Sequence, residues 1–221
     1  ISMASKNCFD YYNMSKDLGG IAPGKLADIL IFDDLTSVKP NKVFVGGKLI
    51  ASNGSIVVSI KKKTISSWIK KTVKLKELSQ KDFVISSKKK SILANTIFMQ
   101  TEIITNIGST ELLTKEGHVM TSLDKDVWKV AAFDRINGTN KHAIGFLENF
   151  GADIGAFAST WSFHENDMIV IGSNDSDMSI AANTLIKNQG GLVVIKSGKI
   201  IASLPLQIAG IISTDSFEKV L

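Results

Sequence analysis

The sequence is short of several things that would point to particular classes of protein. It has one cysteine, Cys8, so no internal disulfide can form, and the expected setting is a reducing compartment, hence cytoplasmic. No apolar run approaches the ~18 residues of a membrane-spanning helix, and no membrane partner is expected. There are three histidines, His118, His142 and His164, none with a second His at metal-ligand spacing. Arginine is almost absent: Arg135 stands alone beside 25 lysines. That imbalance argues against a surface built to fork phosphates or read bases, which favours Arg. The chain also opens at Ile1 with no initiator methionine, and its beginning is read as removed.

What remains is ordinary globular material. With 221 residues and 44% hydrophobic content, the chain can bury a core and hold one large or two small domains. The net charge of +5 is unevenly placed. Residues 61–90 carry 11 lysines against Glu77 and Asp82, a local +9, and the chain's +5 less this +9 leaves −4 elsewhere. No aromatic ladder accompanies the lysines, so this block is expected to be a solvated face or linker rather than a nucleic-acid site.

Taken in order, residues 2–14 read as the end of a helix, with Cys8 as a small buried residue on one face. Pro23-Gly24 fits the centre of a type II turn, with Asp28 as a turn-fixing carboxylate. The apolar run Ile29 to Phe32 predicts a strand buried on both faces. Val43 to Val45 and Lys48 to Ala51, joined by Gly46-Gly47, predict a hairpin. A boundary is placed near residue 60. Beyond it, strands are expected at Ile97 to Thr105, Val119 to Thr121 and Val127 to Phe133, the last with one solvent-facing side, while Leu112 and Leu113 are assigned to a helical turn.

The best-defined stretch is residues 145–210. A strand over Asp167 to Ile171 ends at Gly172, and Ser173 to Asp177 supply caps and acids for a helix start. Met178, Ala181, Ala182, Leu185 and Ile186 share one helical face, which Gly190-Gly191 terminate. Strands over Leu192 to Ile195 and Ile200 to Ala202 follow, with Ser197-Gly198 between them.

This stretch also carries a resemblance. Gly145-Phe-Leu, Gly155-Ala-Phe-Ala-Ser, Asn183-Thr-Leu, Gln189-Gly-Gly-Leu-Val-Val and Leu204-Pro-Leu-Gln-Ile-Ala-Gly210 resemble, in the same order, the C-terminal domain of the adenine deaminase family. The turn and strand over residues 18–34 resemble the point where amidohydrolase-superfamily enzymes leave their barrel for a β-sandwich. The resemblance implies an α+β chain: residues 1–17 as a remnant of the barrel's terminal helix, 18–60 as sandwich strands, and 61–221 as a mixed, sheet-rich C-terminal domain. It implies adenine as substrate, converted with water to hypoxanthine and ammonia, and Mn²⁺ or Fe²⁺ as cofactor. The metal would be held by a His-x-His pair and further groups that this chain does not contain, so the chain alone is expected to be inactive.

Two loops are expected to face a site. Where the family usually reads Ala-His-Asp-Ser-His-Asn, this chain has Ser162-Phe163-His164-Glu165-Asn166-Asp167, and Ile136 stands where a His usually follows Arg. The catalytic candidates are therefore His164, Glu165, Asp167 and Arg135, weighed against a surface loop that merely leads into a strand. Trp128 and Trp161 could stack on a purine, but both are assigned to the core. The departures from the family pattern leave a second reading open, a non-deaminating module for purine binding or protein interaction. A homo-oligomer is allowed by exposed sheet edges.

Overall fold

The computed structural model describes residues 1–36, 38–60, 64–162 and 166–221, which fall into two compact units divided at Thr64/Ile65. The protein is sheet-rich and mixed α+β.

In the first unit a turn of 3₁₀ helix at Ser2–Ala4 precedes α1, Lys6–Tyr11. The helix is shorter than the sequence pattern suggests and buries none of its residues. Cys8 is exposed rather than buried, its thiol directed at the Met3 carbonyl. Strands β1 (Ile29–Ile31), β2 (Lys42–Val45), β3 (Lys48–Ser52) and β4 (Ser55–Ile56) form an antiparallel sheet in sequence order. The Gly46-Gly47 hairpin is present, both glycines at positive φ, as a two-residue turn of this hand requires. Asp28 accepts the Gly46 amide at 2.7 Å, so its carboxylate fixes that turn. The β1 strand is not buried on both faces: it is an edge strand, and Leu30 and Ile31 are exposed.

The second unit is one nine-stranded sheet. Its strands are β5 (Ser91–Met99), β6 (Thr105–Lys115), β7 (His118–Val119), β8 (Val127–Phe133), β9 (His142–Glu148), β10 (Ala156–Ser159), β11 (Met168–Gly172), β12 (Gly191–Lys196) and β13 (Lys199–Pro205). Their spatial order is β13-β12-β10-β11-β8-β9-β5-β6-β7. All neighbours are antiparallel except β5 and β9, where Thr96 pairs with Phe146 in parallel register. Leu112 and Leu113 lie inside β6 rather than in a helical turn; pairing of residues 105–113 with β5 overrides the local pattern. The strand expected from Ile97 starts at Ser91 and ends at Met99, and Gln100 to Ile104 close the turn. The expected solvent-facing side of β8 is only partly open, with Val130 and Ala132 half-buried on it. The strand lies between β11 and β9, and Trp128 on its second face is covered edge-on by Phe150.

Helix α2, Asp175–Asn188, packs on the sheet through Met178, Ala181, Ala182 and Leu185. Asn174 caps it by accepting the Asp177 amide at 2.8 Å, and Asp175 and Asp177 occupy the positive first turn. At the other end Gln189, not a glycine, takes the left-handed conformation that stops the helix.

The explanation lies in the lysine-rich segment, which is not a solvated linker throughout. Val73, Leu75, Leu78 and Phe83 are buried in the same core as α2. The Gln189 amide exchanges two hydrogen bonds with the backbone of Val73, at 3.2 and 3.1 Å. The Asn183 amide does the same with Leu78, at 2.9 and 2.7 Å. Residues 72–83 thus form a strap across α2, apolar side chains inward and lysines outward. Its alternation is masked in sequence by the density of charge.

Candidate functional site

Arg135 is the second residue after β8 and is only 1% exposed. Its guanidinium joins three segments: Nε donates to the Asn166 carbonyl, Nη1 to Thr72 Oγ1 at 3.2 Å, and Nη2 to the Ala209 carbonyl at 3.1 Å. Its own carbonyl accepts the Lys74 amide at 2.7 Å, tying the strap to the same point. Burial lowers the guanidinium pKa from its ordinary value, and the Asp167 carboxylate opposes that shift. Arginine is the residue able to hold several acceptors at once in a dry setting.

The walls around Arg135 come from chain ends of the central strands. Thr160, at the end of β10, is fully buried; its hydroxyl donates to the Gly210 carbonyl at 2.6 Å and accepts the Gly191 amide at 2.8 Å. Ser159 closes a tight turn by bonding both the amide and the carbonyl of Trp161, at 3.0 and 2.8 Å. Asp134, beside Arg135, orders its own loop by accepting from the Asn137 amide and side chain and from Thr139. Those bonds, the Asn137 backbone first, hold its carboxyl below the usual aspartate range.

Of the residues singled out from sequence, Arg135, Asn166 and Asp167 are brought together here. Asn166 adopts φ +52°, turning the chain into β11. Phe163, His164 and Glu165 lie outside the described residues. Ile136 is exposed on the adjoining loop. The two tryptophans separate. Trp128 is buried at 2% exposure with its indole N–H on Asp126 at 2.6 Å, as a core residue should be. Trp161 is 61% exposed and is not a core residue. His118 and His142 are exposed; His142 is paired with and stacked on Phe133, two residues before Arg135.

Among the described residues no group of three His, Cys, Asp or Glu side chains could hold a metal ion. The donor set needed for Mn²⁺ or Fe²⁺ is therefore not present in them. The chemistry this arrangement does support is positional: a dry cation anchors the turns at 166–167 and 209–210, with an exposed indole at the rim. Thr72 and Ala209 are not legible in the sequence as partners of Arg135, because nothing local marks contacts 63 or 74 residues apart in the chain. A concavity of the first unit, about 670 Å³, is lined chiefly by apolar residues including Phe9, Leu18, Ile29 and Leu30. No helix among the described residues is long and apolar enough to cross a membrane.

Comparison with known proteins is consistent along the chain. The family model described as adenine deaminase C-terminal domain matches residues 102–221, and that of the amidohydrolase family matches residues 1–50. A protein named adenine deaminase from Cenarchaeum symbiosum (strain A) is 54% identical over 220 residues, covering 100% of this chain and 36% of the relative. Another of that name from Desulforamulus reducens is 34% identical over 223 residues, 100% of this chain and 38% of its own length. A third, from Clostridium botulinum (strain Langeland), is 36% identical over 222 residues, 99% of this chain and 37% of the relative. The chain thus spans little more than a third of the curated relatives it matches.

Proposed function

Because the chain belongs to the adenine deaminase C-terminal domain family, we propose that it works as the C-terminal portion of an adenine deaminase. The full protein would hydrolyse adenine to hypoxanthine and ammonia, breaking the exocyclic C–N bond and forming a C–O bond with oxygen from water. In this reading residues 1–17 end the last barrel helix, residues 18–60 belong to the β-sandwich, and residues 61–221 form the domain that braces the site. Adenine is the substrate and the setting is cytoplasmic. The metal centre, Mn²⁺ or Fe²⁺, belongs to sequence outside this chain.

The observation that carries the proposal is whole-chain similarity to proteins named adenine deaminase, 54% identical in the Cenarchaeum relative, in a chain whose described residues bring together no metal-ligand set. The role left to these residues is to hold the loops around Arg135 in register and keep water from its buried face.

A second reading is favoured by particular residues. Phe163, Asn166 and Ile136 stand where the resemblance leads one to expect histidines. A module that binds a purine or another chain without deaminating it needs no imidazole there.

The experiment is a replacement. The matched region of the Cenarchaeum symbiosum relative is exchanged for this chain, and ammonia release from adenine is followed with added Mn²⁺. The expected result is activity in the hybrid and none from residues 1–221 alone. A folded hybrid that binds adenine but releases no ammonia would establish the second reading. Ammonia release by the isolated chain would show that the ligand set had been missed, with His164 the first residue to replace.

A further inference from the structure

Resting on the adenine deaminase reading above, we propose that Trp161 is a stacking wall for the purine ring of the substrate. The indole tightens binding of the base and takes no part in the bond changes.

An exposed indole leaves a large apolar area in water, where it gains most from being covered. Trp161 is 61% exposed, yet its backbone is closely held. Its amide donates to Ser159 Oγ at 3.0 Å, and its carbonyl accepts from the same hydroxyl at 2.8 Å. Thr160, the residue before it, is fully buried. The Thr160 hydroxyl bonds the Gly210 carbonyl and the Gly191 amide, and the Thr160 amide donates to the Gly191 carbonyl at 3.0 Å. Further on, the Asn166 carbonyl is fixed by Arg135 Nε. Trp161 thus stands at the rigid end of a central strand, just before the loop singled out from sequence as facing a site. On a backbone already fixed, only two side-chain torsions remain to be ordered when a flat partner covers the indole.

The same residues define the class of ligand. An indole stacks on the face of any base and supplies no charge. The chain's one arginine is not available to pair with a phosphate, because Arg135 is buried and its donors are spent on Asn166, Thr72 and Ala209. The wall therefore suits a flat, uncharged free base. Adenine and hypoxanthine share the bicyclic ring, so stacking acts on substrate and product alike. Uniform binding of this kind lowers KM and leaves kcat unchanged. Trp68 supplies a control: it is also exposed, but it lies in the 3₁₀ turn Ser67–Lys70, outside this segment.

The test uses the hybrid in which this chain replaces the matched region of the Cenarchaeum symbiosum relative. Ammonia release gives kcat and KM, and equilibrium dialysis gives the Kd for adenine. Trp161→Ala should raise KM, Kd and the inhibition constant of hypoxanthine by one common factor, between about fivefold and a hundredfold. It should leave kcat within about twofold. Trp161→Phe, which keeps a ring, should restore most of the affinity, and Trp68→Ala should change nothing. Acrylamide should quench the Trp161 fluorescence of the free hybrid, taken as the difference from Trp161→Phe, and adenine should shield it. Unchanged KM and Kd in Trp161→Ala overturn the proposal. So does a fall in kcat at constant KM, which would make the residue a support for its loop. An indole already shielded without adenine assigns it to the upstream chain instead. A folded hybrid that binds adenine but releases no ammonia defeats the deaminase reading, while the Kd of Trp161→Ala still decides this one. A folded hybrid that binds no adenine overturns it.

Discussion

Gly210 passes so close to Arg135 that a β-carbon on the glycine would lie 2.5 Å from Nη1 of the guanidinium. Gly210 is also held at φ +75°, a conformation that side chains disfavour. The buried cation and the turn above it are thus fitted to one another, and the fit requires the absence of a side chain.

Gly210→Ala should accordingly cost about 2–4 kcal/mol, combining positive-φ strain with overpacking against a guanidinium that three hydrogen bonds hold in place. Urea unfolding followed through Trp128 fluorescence measures it. A loss under about 0.5 kcal/mol, the range of an ordinary surface substitution, would show that the turn relaxes freely.

The strap gives a second expectation. Asn183→Ala leaves the Leu78 amide and carbonyl without partners at the surface of the core, which should destabilise by about 1–3 kcal/mol. Faster hydrogen exchange at the Leu78 amide should accompany the loss. An unchanged exchange rate would mean that packing of Val73, Leu75 and Phe83 holds the strap unaided.

The two tryptophans should answer differently to truncation. Trp128→Ala removes a buried indole and should cost about 3–5 kcal/mol. Trp161→Ala should stay within about 0.5 kcal/mol, as expected of an exposed side chain. Adenine quenching of the fluorescence from Trp161, retained in Trp68→Phe and lost in Trp161→Phe, would give this exposed indole a role in binding.

Asp134 supplies the pH dependence. Its folded pKa lies below the ordinary aspartate value of 3.8, so its contribution to ordering residues 134–139 is complete above that value. It is lost as the pH falls through the lower, folded value. Carboxyl ¹³C shifts should titrate with a midpoint below 3.8, and the Asn137 amide should move with them. A midpoint at or above the ordinary value would dissociate the carboxylate from the loop.

By itself the sequence determined the elements whose signals are local. The cap at Asn174, the apolar stripe from Met178 to Leu185, the glycine turn of the β2–β3 hairpin and the short β-branched runs of β8, β11 and β12 rest on neighbours within a few residues. For the same reason they could be read in order along the chain, and they carried enough of the resemblance to identify the family. Tertiary structure decided the rest. Leu112 and Leu113 are in a strand because β5 pairs with them, not because of their own pattern. Leu75 and Leu78 are core residues because α2 presents them with a surface, despite the lysines between and around them. Trp128 is buried and Trp161 exposed though both are large aromatics next to or within strands, since burial depends on what crosses over them. Arg135 is the clearest case. Its partners at Thr72, Asn166 and Ala209 lie 63, 31 and 74 residues away. What a lone arginine does depends on which carbonyls the folded chain delivers to it, and no local periodicity encodes that.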